Sequence, residues 1–345
     1  METAPTETVL VTGGTGFVAG WCIVELLRRG YSVRTTVRNL SREAAIRAAT
    51  ESTGISSDRL QFFVADLLED EGWDRAVTGC DYVLHVASPL GGVSSDSRES
   101  LVAPARDGTL RVLRAAVEAK VRRVVMTSAA ATARPSLDSA QVSDETLWAD
   151  PADPQFDAYR VSKILAERAA WDFMRSLGNT TEFVAILPGA VFGPVLTPEN
   201  LGSVQIIHSL LQGRPAFLPR LGFWIVDVRD LADLHIRAMT SPHAAGQRFL
   251  AAGEFLWMQE IAQILRARLG RLALKTPIRQ LPTFVVKLLL PFMPQFRALA
   301  PLLGRKFLLT TEKARRTLGF SPRPAADTLH DCATSLTSRA APSFP

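Results

Sequence analysis

Cysteine is scarce: Cys22, Cys80 and Cys332 are all that 345 residues contain. Three thiols cannot all pair, and none stands at C-x-x-C spacing, so a disulfide framework and a thiolate zinc site are excluded. Small buried cysteines in a reducing compartment are expected instead. Clustered positive charge is also missing, since a net charge of +5 is spread over the whole chain. Arg122-Arg123 and Arg315-Arg316 read as surface pairs beside helix or strand ends, which leaves a nucleic-acid partner without a footprint. No apolar run reaches the ~20 residues that span a bilayer. The nearest one, Leu281 to Phe296, is broken by Lys287, Pro291 and Pro294. It reads as a helical piece packing on its neighbours, with a membrane-facing patch or a lid as the alternative. The first eight residues hold two Glu and no Lys or Arg, so no secretory leader is read and a cytoplasmic protein is expected. His208 and His235 fall in helical patterns without carboxylates at metal spacing, and no metal site is expected. No internal repeat is present.

The chain does contain a strand that stops at glycine. In Thr8-Val-Leu-Val-Thr-Gly-Gly-Thr-Gly-Phe-Val-Ala-Gly20 an apolar β-branched run meets a glycine cluster. An amphipathic pattern follows through Val18, Ile23, Val24, Leu26 and Leu27 and ends at Gly30. Strand, tight turn and helix closed by glycine make the opening of a dinucleotide-binding βαβ unit. Gly13 permits the turn, and Gly16 lets the backbone approach a pyrophosphate at the helix N-terminus. Ala19 takes the place of the third glycine, where only close helix–strand packing is demanded. The next strand, Tyr31-Ser-Val-Arg-Thr-Thr-Val-Arg38, ends in arginine, and no Asp or Glu lies between Gly30 and Arg42. An NAD site would place a carboxylate there on the ribose 2′-hydroxyl, whereas a guanidinium suits a 2′-phosphate. NADP(H) is therefore the expected cofactor, with Arg38 as its main mark and Arg34 and Arg42 as secondary candidates.

Further along, Asp157-Ala-Tyr-Arg-Val-Ser-Lys163 sets Tyr159 and Lys163 four residues apart, on one face of a helix. A phenol titrates near ~10. An ammonium held beside it favours the phenolate and makes the group usable as a general acid or base.

Together these motifs resemble the extended short-chain dehydrogenase/reductase family, and within it the dihydroflavonol-reductase and aldehyde-reductase branch. The resemblance runs from Thr8 to about Phe249. It includes Ala65-Asp-Leu67, His85-Val-Ala-Ser-Pro89, Val124-Val-Met-Thr-Ser128 and Pro188-Gly-Ala-Val-Phe-Gly-Pro194 beside the motifs above. It implies that Gly13, Thr15, Gly16, Phe17, Val18 and Arg38 bind the cofactor, with Asp66 and Leu67 at the adenine end. Val86, Ala87 and Ser88 line the pocket along the dinucleotide, and Pro188 to Val191 border the nicotinamide. Tyr159 and Lys163 are the implied catalytic pair, Lys163 also holding the ribose hydroxyls. His85 reads as structural. One departure stands out: the family carries Thr-Ser-Ser after its fifth strand, and this chain has Thr127-Ser128-Ala129. The ungapped register puts Ala129 at the catalytic hydroxyl. Ser128 is kept as the candidate after a one-residue shift, with Thr132 or water as the alternatives.

The expected fold is α/β, a doubly wound parallel (Rossmann) sheet with a smaller C-terminal substrate lobe. Strands are predicted near residues 8–12, 31–37, 60–65, 81–86, 122–127 and 182–187, and helices near 99–119 and 157–177. Residues 1–190, with 224–250 returning, form the dinucleotide domain. Segments 191–223 and 251–325 form the lobe, and 326–345 a loosely held tail with frayed final residues. Phe217, Phe223, Trp224 and Phe255 in the lobe favour a hydrophobic or aromatic carbonyl compound. The expected activity is NADPH-dependent reduction of an aldehyde or ketone, the reverse oxidation included. A sugar-nucleotide epimerase or dehydratase that keeps NAD, and a non-enzymatic NADP-sensing regulator, are the rival readings. Monomer and homodimer are both compatible with the sequence.

Overall fold

The computed structural model describes residues 7–89, 98–136, 139–154, 156–178, 181–197, 201–289 and 300–338. Six strands come first, β1 (Thr8–Val11), β2 (Ser32–Val37), β3 (Leu60–Val64), β4 (Tyr82–His85), β5 (Arg123–Thr127) and β6 (Glu182–Pro188). After them follow β7 (Ala190–Phe192), β8 (Gly222–Asp227), β9 (Arg248–Ala251) and β10 (Phe255–Trp257). The helices of the first half are α1 (Phe17–Arg28), α2 (Glu43–Glu51), α3 (Trp73–Val77), α4 (Arg98–Glu118) and α5 (Ala158–Leu177). Those of the second half are α6 (Val204–Leu211), α7 (Val228–Thr240), α8 (Met258–Leu269), α9 (Thr283–Leu289), α10 (Glu312–Leu318) and α11 (Ala325–Ser338).

A seven-stranded sheet runs β3-β2-β1-β4-β5-β6-β9, and every pairing in it is parallel. Val9, Leu10 and Val11 are all fully buried, as a strand covered on both faces requires. On one face α1 and α7 pack together over Ile23, Leu26, Leu231 and Leu234. On the other α4 and α5 do so over Val112, Leu113, Ala166 and Ala170. The chain winds outward from β1 to β3 and then crosses to β4, so the order reverses between β1 and β4. A crevice for a ligand opens at such a switch point, beyond the carboxyl ends of the strands. The Rossmann reading therefore holds, strand by strand.

The structure differs from expectation in three places. Within 224–250 only α7 and β9 join the main sheet domain; β8 lies in a separate three-stranded sheet between β7 and β10. The tail is not loose from residue 326: α11 buries Thr328, Leu329, Cys332 and Ala333 against α8 and α6. Apolar residues at helical spacing give it a buried stripe that the polar composition conceals. Arg123 is not a surface residue. It is 5% exposed, and its guanidinium donates to the carbonyls of Ala238, Met239 and Ser241 at 2.8, 2.9 and 2.7 Å, capping the C-terminus of α7. Those carbonyls have no partner within the helix, and the helix dipole favours a cation beside them. Arg122 matches expectation better, pairing at the surface with Glu7 and Asp81. Among the described residues no helix is long and apolar enough to cross a membrane, and no group of side chains is arranged to hold a metal. Residues 290–296 of the apolar stretch and 339–345 of the tail lie outside the described residues.

Candidate active site

The glycine turn after β1 is shaped by close approach. Gly13 has a φ of +75°, and a Cβ there would sit 3.0 Å from Ala87 Cβ. At Gly14, which the motif reading passed over, a Cβ would fall 2.4 Å from Thr35 Oγ1. Gly16 is the N-cap of α1 and provides no side-chain capping bond. The first-turn amides are thus left for an anion, which the helix dipole also attracts. Facing this turn, the wall at residues 86–88 hangs on a buried relay. The Thr12 hydroxyl accepts from the amides of Val86 (3.0 Å) and Ala87 (2.9 Å) and donates to His85 Nδ1 at 3.1 Å. His85 Nε2 lies 3.2 Å from Thr109 Oγ1, whose own proton goes to Ala105 O. That network assigns the proton to Nε2. Burial, with the Lys163 charge adding, pushes the His85 pKa down to about 3. His85 is a neutral strut.

Turn and wall open on one cleft of about 1250 Å³. It is lined by Thr15, Phe17 and Val18 at the turn, Arg38 at the end of β2, and Asp66 and Leu67 after β3. Val86, Ala87 and Ser88 line it beside β4, Ser128 and Ala129 after β5, Tyr159 and Lys163 on α5, and Pro188 and Val191 after β6. Arg38 is exposed there and has no hydrogen-bond or ion-pair partner among the described residues. Arg42 also lines the cleft, whereas Arg34 is turned away. Its guanidinium donates to Ala76 O (3.3 Å) and Thr78 O (2.5 Å) and lies over Phe63. Arg34 ties β2 to the α3 region.

On α5 the sequence sets one functional group per turn: Tyr159, Lys163 and, missed by motif reading, Glu167. The Asp157 carboxylate starts the helix by accepting from the Arg160 amide at 2.8 Å. Lys163 is buried and its ammonium donates to Thr127 O at 3.2 Å. Burial lowers its pKa to about 8, against the opposing pull of Glu167. Tyr159 is 36% exposed to the cleft. Its pKa is raised, chiefly by burial, with Arg160 opposing and Asp157 adding. The ring is walled by protein on most sides and open to water on one. This departs from the expected depression by Lys163, whose charge is held on the Thr127 carbonyl instead.

The catalytic-hydroxyl candidates come out differently from one another. Ser128 is 2% exposed, and its hydroxyl donates to Glu167 Oε2 at 2.5 Å. Glu167 is fully buried and pairs through Oε1 with Arg248 Nε at 2.7 Å. Arg248 in turn reaches Glu145 O, Leu147 O and Thr132 Oγ1, and stacks 3.8 Å from the Trp148 ring centre. Thr132 gives its own proton to Ala129 O at 2.9 Å and is fully buried, so it does not reach the cleft. Ala129 does. A carboxylate on α5 and an arginine on β9 thus claim both hydroxyls, and the only warning in sequence was one acidic residue a turn beyond Lys163.

Comparison with known proteins agrees with this architecture. A family model described as the NAD dependent epimerase/dehydratase family matches residues 9–252. Cinnamoyl-CoA reductase 1 of Petunia hybrida is 38% identical over 77% of this chain and 78% of its own length. Dihydroflavonol 4-reductase of Dianthus caryophyllus is 34% identical over 75% of this chain and 73% of its own. Among solved structures, Gre2 from Candida albicans in complex with NADPH superposes with a TM-score of 0.79 at 27% identity, covering 96% of this chain and 99% of that one. Yeast methylglyoxal/isovaleraldehyde reductase Gre2, complexed with NADPH, gives the same TM-score at 25% identity, covering 96% and 99%. The glycine turn, the parallel sheet and these similarities place the chain in the NAD dependent epimerase/dehydratase family, the extended short-chain dehydrogenase/reductases, on its dihydroflavonol-reductase-like branch.

Proposed function

We propose that this chain is an NADPH-dependent reductase of an aldehyde or ketone carbonyl. The observation that carries the reading is Tyr159 and Lys163 facing the same cleft as the uncapped α1 N-terminus and the unpartnered Arg38. The residues present fit the cofactor. The α1 amides and the close-packed Gly13–Gly14 turn suit a pyrophosphate, and Arg38 offers a fork to a 2′-phosphate. Asp66 and Leu67 suit the adenine end; Val86 to Ser88, Pro188 and Val191 suit the dinucleotide and nicotinamide walls. The reduction activities named for the relatives and the NADPH complexes among the solved structures support the same assignment.

Bound NADPH supplies the hydride. Tyr159 gives its proton to the carbonyl oxygen as charge develops there. A phenol whose pKa is raised holds that proton at neutral pH, and an alkoxide is a stronger base than a phenolate, so the transfer runs downhill. Lys163 would hold the ribose hydroxyls with the donors that its bond to Thr127 O leaves over. The Ser128 hydroxyl donates its hydrogen bond to Glu167, which makes it a positioning residue for the β5 end and leaves Tyr159 as the donor. An epimerase reading is disfavoured by Arg38 in a segment without carboxylates.

The test is NADPH oxidation with a panel of aldehydes and ketones, alongside cofactor binding. Turnover with NADPH preferred over NADH is expected in the wild type. Tyr159→Phe should abolish turnover while NADPH still binds, because the ring remains and only the proton is lost. Undiminished turnover in Tyr159→Phe would refute the assigned acid.

A further inference from the structure

Arg134 closes the 3-10 turn Ala130–Ala133 that follows β5, and its guanidinium lines the cleft. It has no hydrogen-bond or ion-pair partner among the described residues. Its contact is with an aromatic face, the guanidinium carbon lying 4.2 Å from the centre of the Phe307 ring. Stacking covers the face of a guanidinium and leaves its five N–H donors, which point outward in its plane, open to a ligand. Burial, with Arg160 adding, lowers its pKa to about 10, so the group is a cation at neutral pH. The side chain is half-buried and opens on the cleft, while two neighbouring arginines are already paired. Arg160 is paired with Asp157, which takes up the carboxylate of this wall. Arg248 is paired with Glu167. Arg305 adds a further guanidinium to the lining.

The surroundings of Arg134 are aromatic. Trp224 Nε1 donates to the Phe307 carbonyl at 2.7 Å, holding the backbone that carries the ring on which Arg134 stacks. Phe255 meets Trp224 edge-on with centroids 5.7 Å apart, and both line the cleft with Phe223. This end of the cleft is therefore an aromatic box with the Arg134 fork set in one wall, and the Lys306 ammonium lies 5.1 Å from the Phe255 ring centre. Such a box selects an apolar or aromatic body with an oxyanion at its end, because the two donors of an arginine edge match the two oxygens of a carboxylate or phosphoryl group.

We infer that Arg134 is the receptor for an oxyanion on the substrate, so that the preferred substrates are apolar carbonyl compounds carrying a carboxylate or phosphoryl group remote from the carbonyl. This rests on the carbonyl-reductase reading for the reacting end and on Arg134 alone for the other. The carbonyl goes toward Tyr159 and the oxyanion toward Arg134, which also sets the orientation in which the substrate is held.

The test compares 4-carboxybenzaldehyde and 4-formylphenyl phosphate with 4-methylbenzaldehyde, a neutral analogue, in the wild type, R134Q and R134K. In parallel, calorimetry measures binding of 4-carboxybenzyl alcohol and 4-methylbenzyl alcohol to protein saturated with NADP+. The wild type should prefer an oxyanion substrate by roughly ten- to a hundred-fold in kcat/KM, the range of a charge-assisted pair, mostly through KM. R134Q should bring that ratio close to one, and R134K should keep part of it. The carboxylate and phosphate arms tell which oxyanion fits. A ratio near one in the wild type, or a ratio that survives in R134Q, overturns the proposal. Calorimetry separates the two readings. Tighter, Arg134-dependent binding of the carboxylate without turnover of any aldehyde upholds the receptor and removes the reductase reading. Turnover with equal binding of charged and neutral alcohols does the reverse. Should R134Q fail to fold, the wild-type ratio and R134K decide.

Discussion

Ser128 and Ala129 divide between them the place where the resembled family keeps a catalytic hydroxyl, and the structure sets Ser128 Oγ 2.5 Å from Glu167. A hydroxyl has one proton, so the bond to a buried carboxylate and the bond to a substrate oxygen exclude each other. The carboxylate is the stronger acceptor, and it is fully buried. Ser128→Ala should therefore act on stability. Losing a hydrogen bond to a charged group costs roughly 1.5–3 kcal/mol, readable as a lower urea midpoint, with kcat close to that of the wild type. A fall in turnover of roughly 10²–10³-fold, as when an oxyanion donor is lost, would return Ser128 to catalysis. Residues of this kind mark the border of what the sequence discloses. The places of Gly13, Gly16, Arg38, Tyr159 and Lys163 on one cleft are legible because they rest on local geometry, a turn, a strand end or one helical turn. The fate of Ser128 depends on Glu167, and that of Glu167 on Arg248, 81 residues further along. The open fork of Arg134 depends on Phe307 from a distant loop. No spacing rule reaches that far.

At the scale of the element, α5 is the organiser. Its Asp157 cap and its Gly178 end, at φ 53°, fix where the helix starts and stops. That fixes which side chains face β5: Tyr159 at the cleft, Lys163 on the Thr127 carbonyl, Glu167 behind Ser128. The deepest of the three holds the others in register by tying α5 to β9 through Arg248. Glu167→Ala would leave the Arg248 guanidinium without its carboxylate, 6% exposed. Removing one partner of a buried pair costs about 3–5 kcal/mol. The expected result is a strongly lowered denaturation midpoint, while an exposed-pair variant such as Asp172→Ala, at the surface end of the same helix, should shift it little. Equal midpoints for the two variants would show that the pair does not hold the helix. Strands β1, β4, β5 and β6 were legible because buried parallel strands are short apolar runs, and the edge strand β3 because Leu60, Phe62, Phe63 and Val64 make one too. Strand β9 escaped because four residues, one of them the buried Arg248, do not form such a run. Helix α11 escaped because its buried stripe is built mostly of small residues, Thr, Cys and Ala, with a single Leu among them.

The molecule as a whole carries two neutral histidines in its interior, and they set its response to acid. His85 joins β4 to α4 through Thr109, and His235 joins α7 to β5 by accepting from Thr127 Oγ1 while its Nδ1–H donates to Leu231 O. Burial lowers their pKa values to about 3 and about 4, from an ordinary 6.5 that the unfolded chain regains. Between those values and 6.5 the unfolded chain binds two protons that the folded chain refuses. Stability from this source is thus complete above pH 6.5 and lost as pH falls toward 4. The slope is roughly 1.4 kcal/mol per pH unit for each histidine. Protonating either ring would also place a charge inside a helix–strand contact, against the positive Lys163 in the case of His85. Paired carboxylates lose stability in the same direction but at lower pH, since their ordinary values lie near ~4. Urea midpoints measured from pH 7 to 4.5 should therefore decline with a slope of about two protons across pH 6 to 5. His235→Gln, whose amide can still meet Thr127, should reduce that slope to about one. In the wild type, the two imidazole signals should stay in the neutral form from pH 7 to about 5, followed by NMR in the folded protein. A ring that titrates near 6.5 without unfolding would mean that its site admits water and charge, and the acid sensitivity would then have to come from the carboxylates.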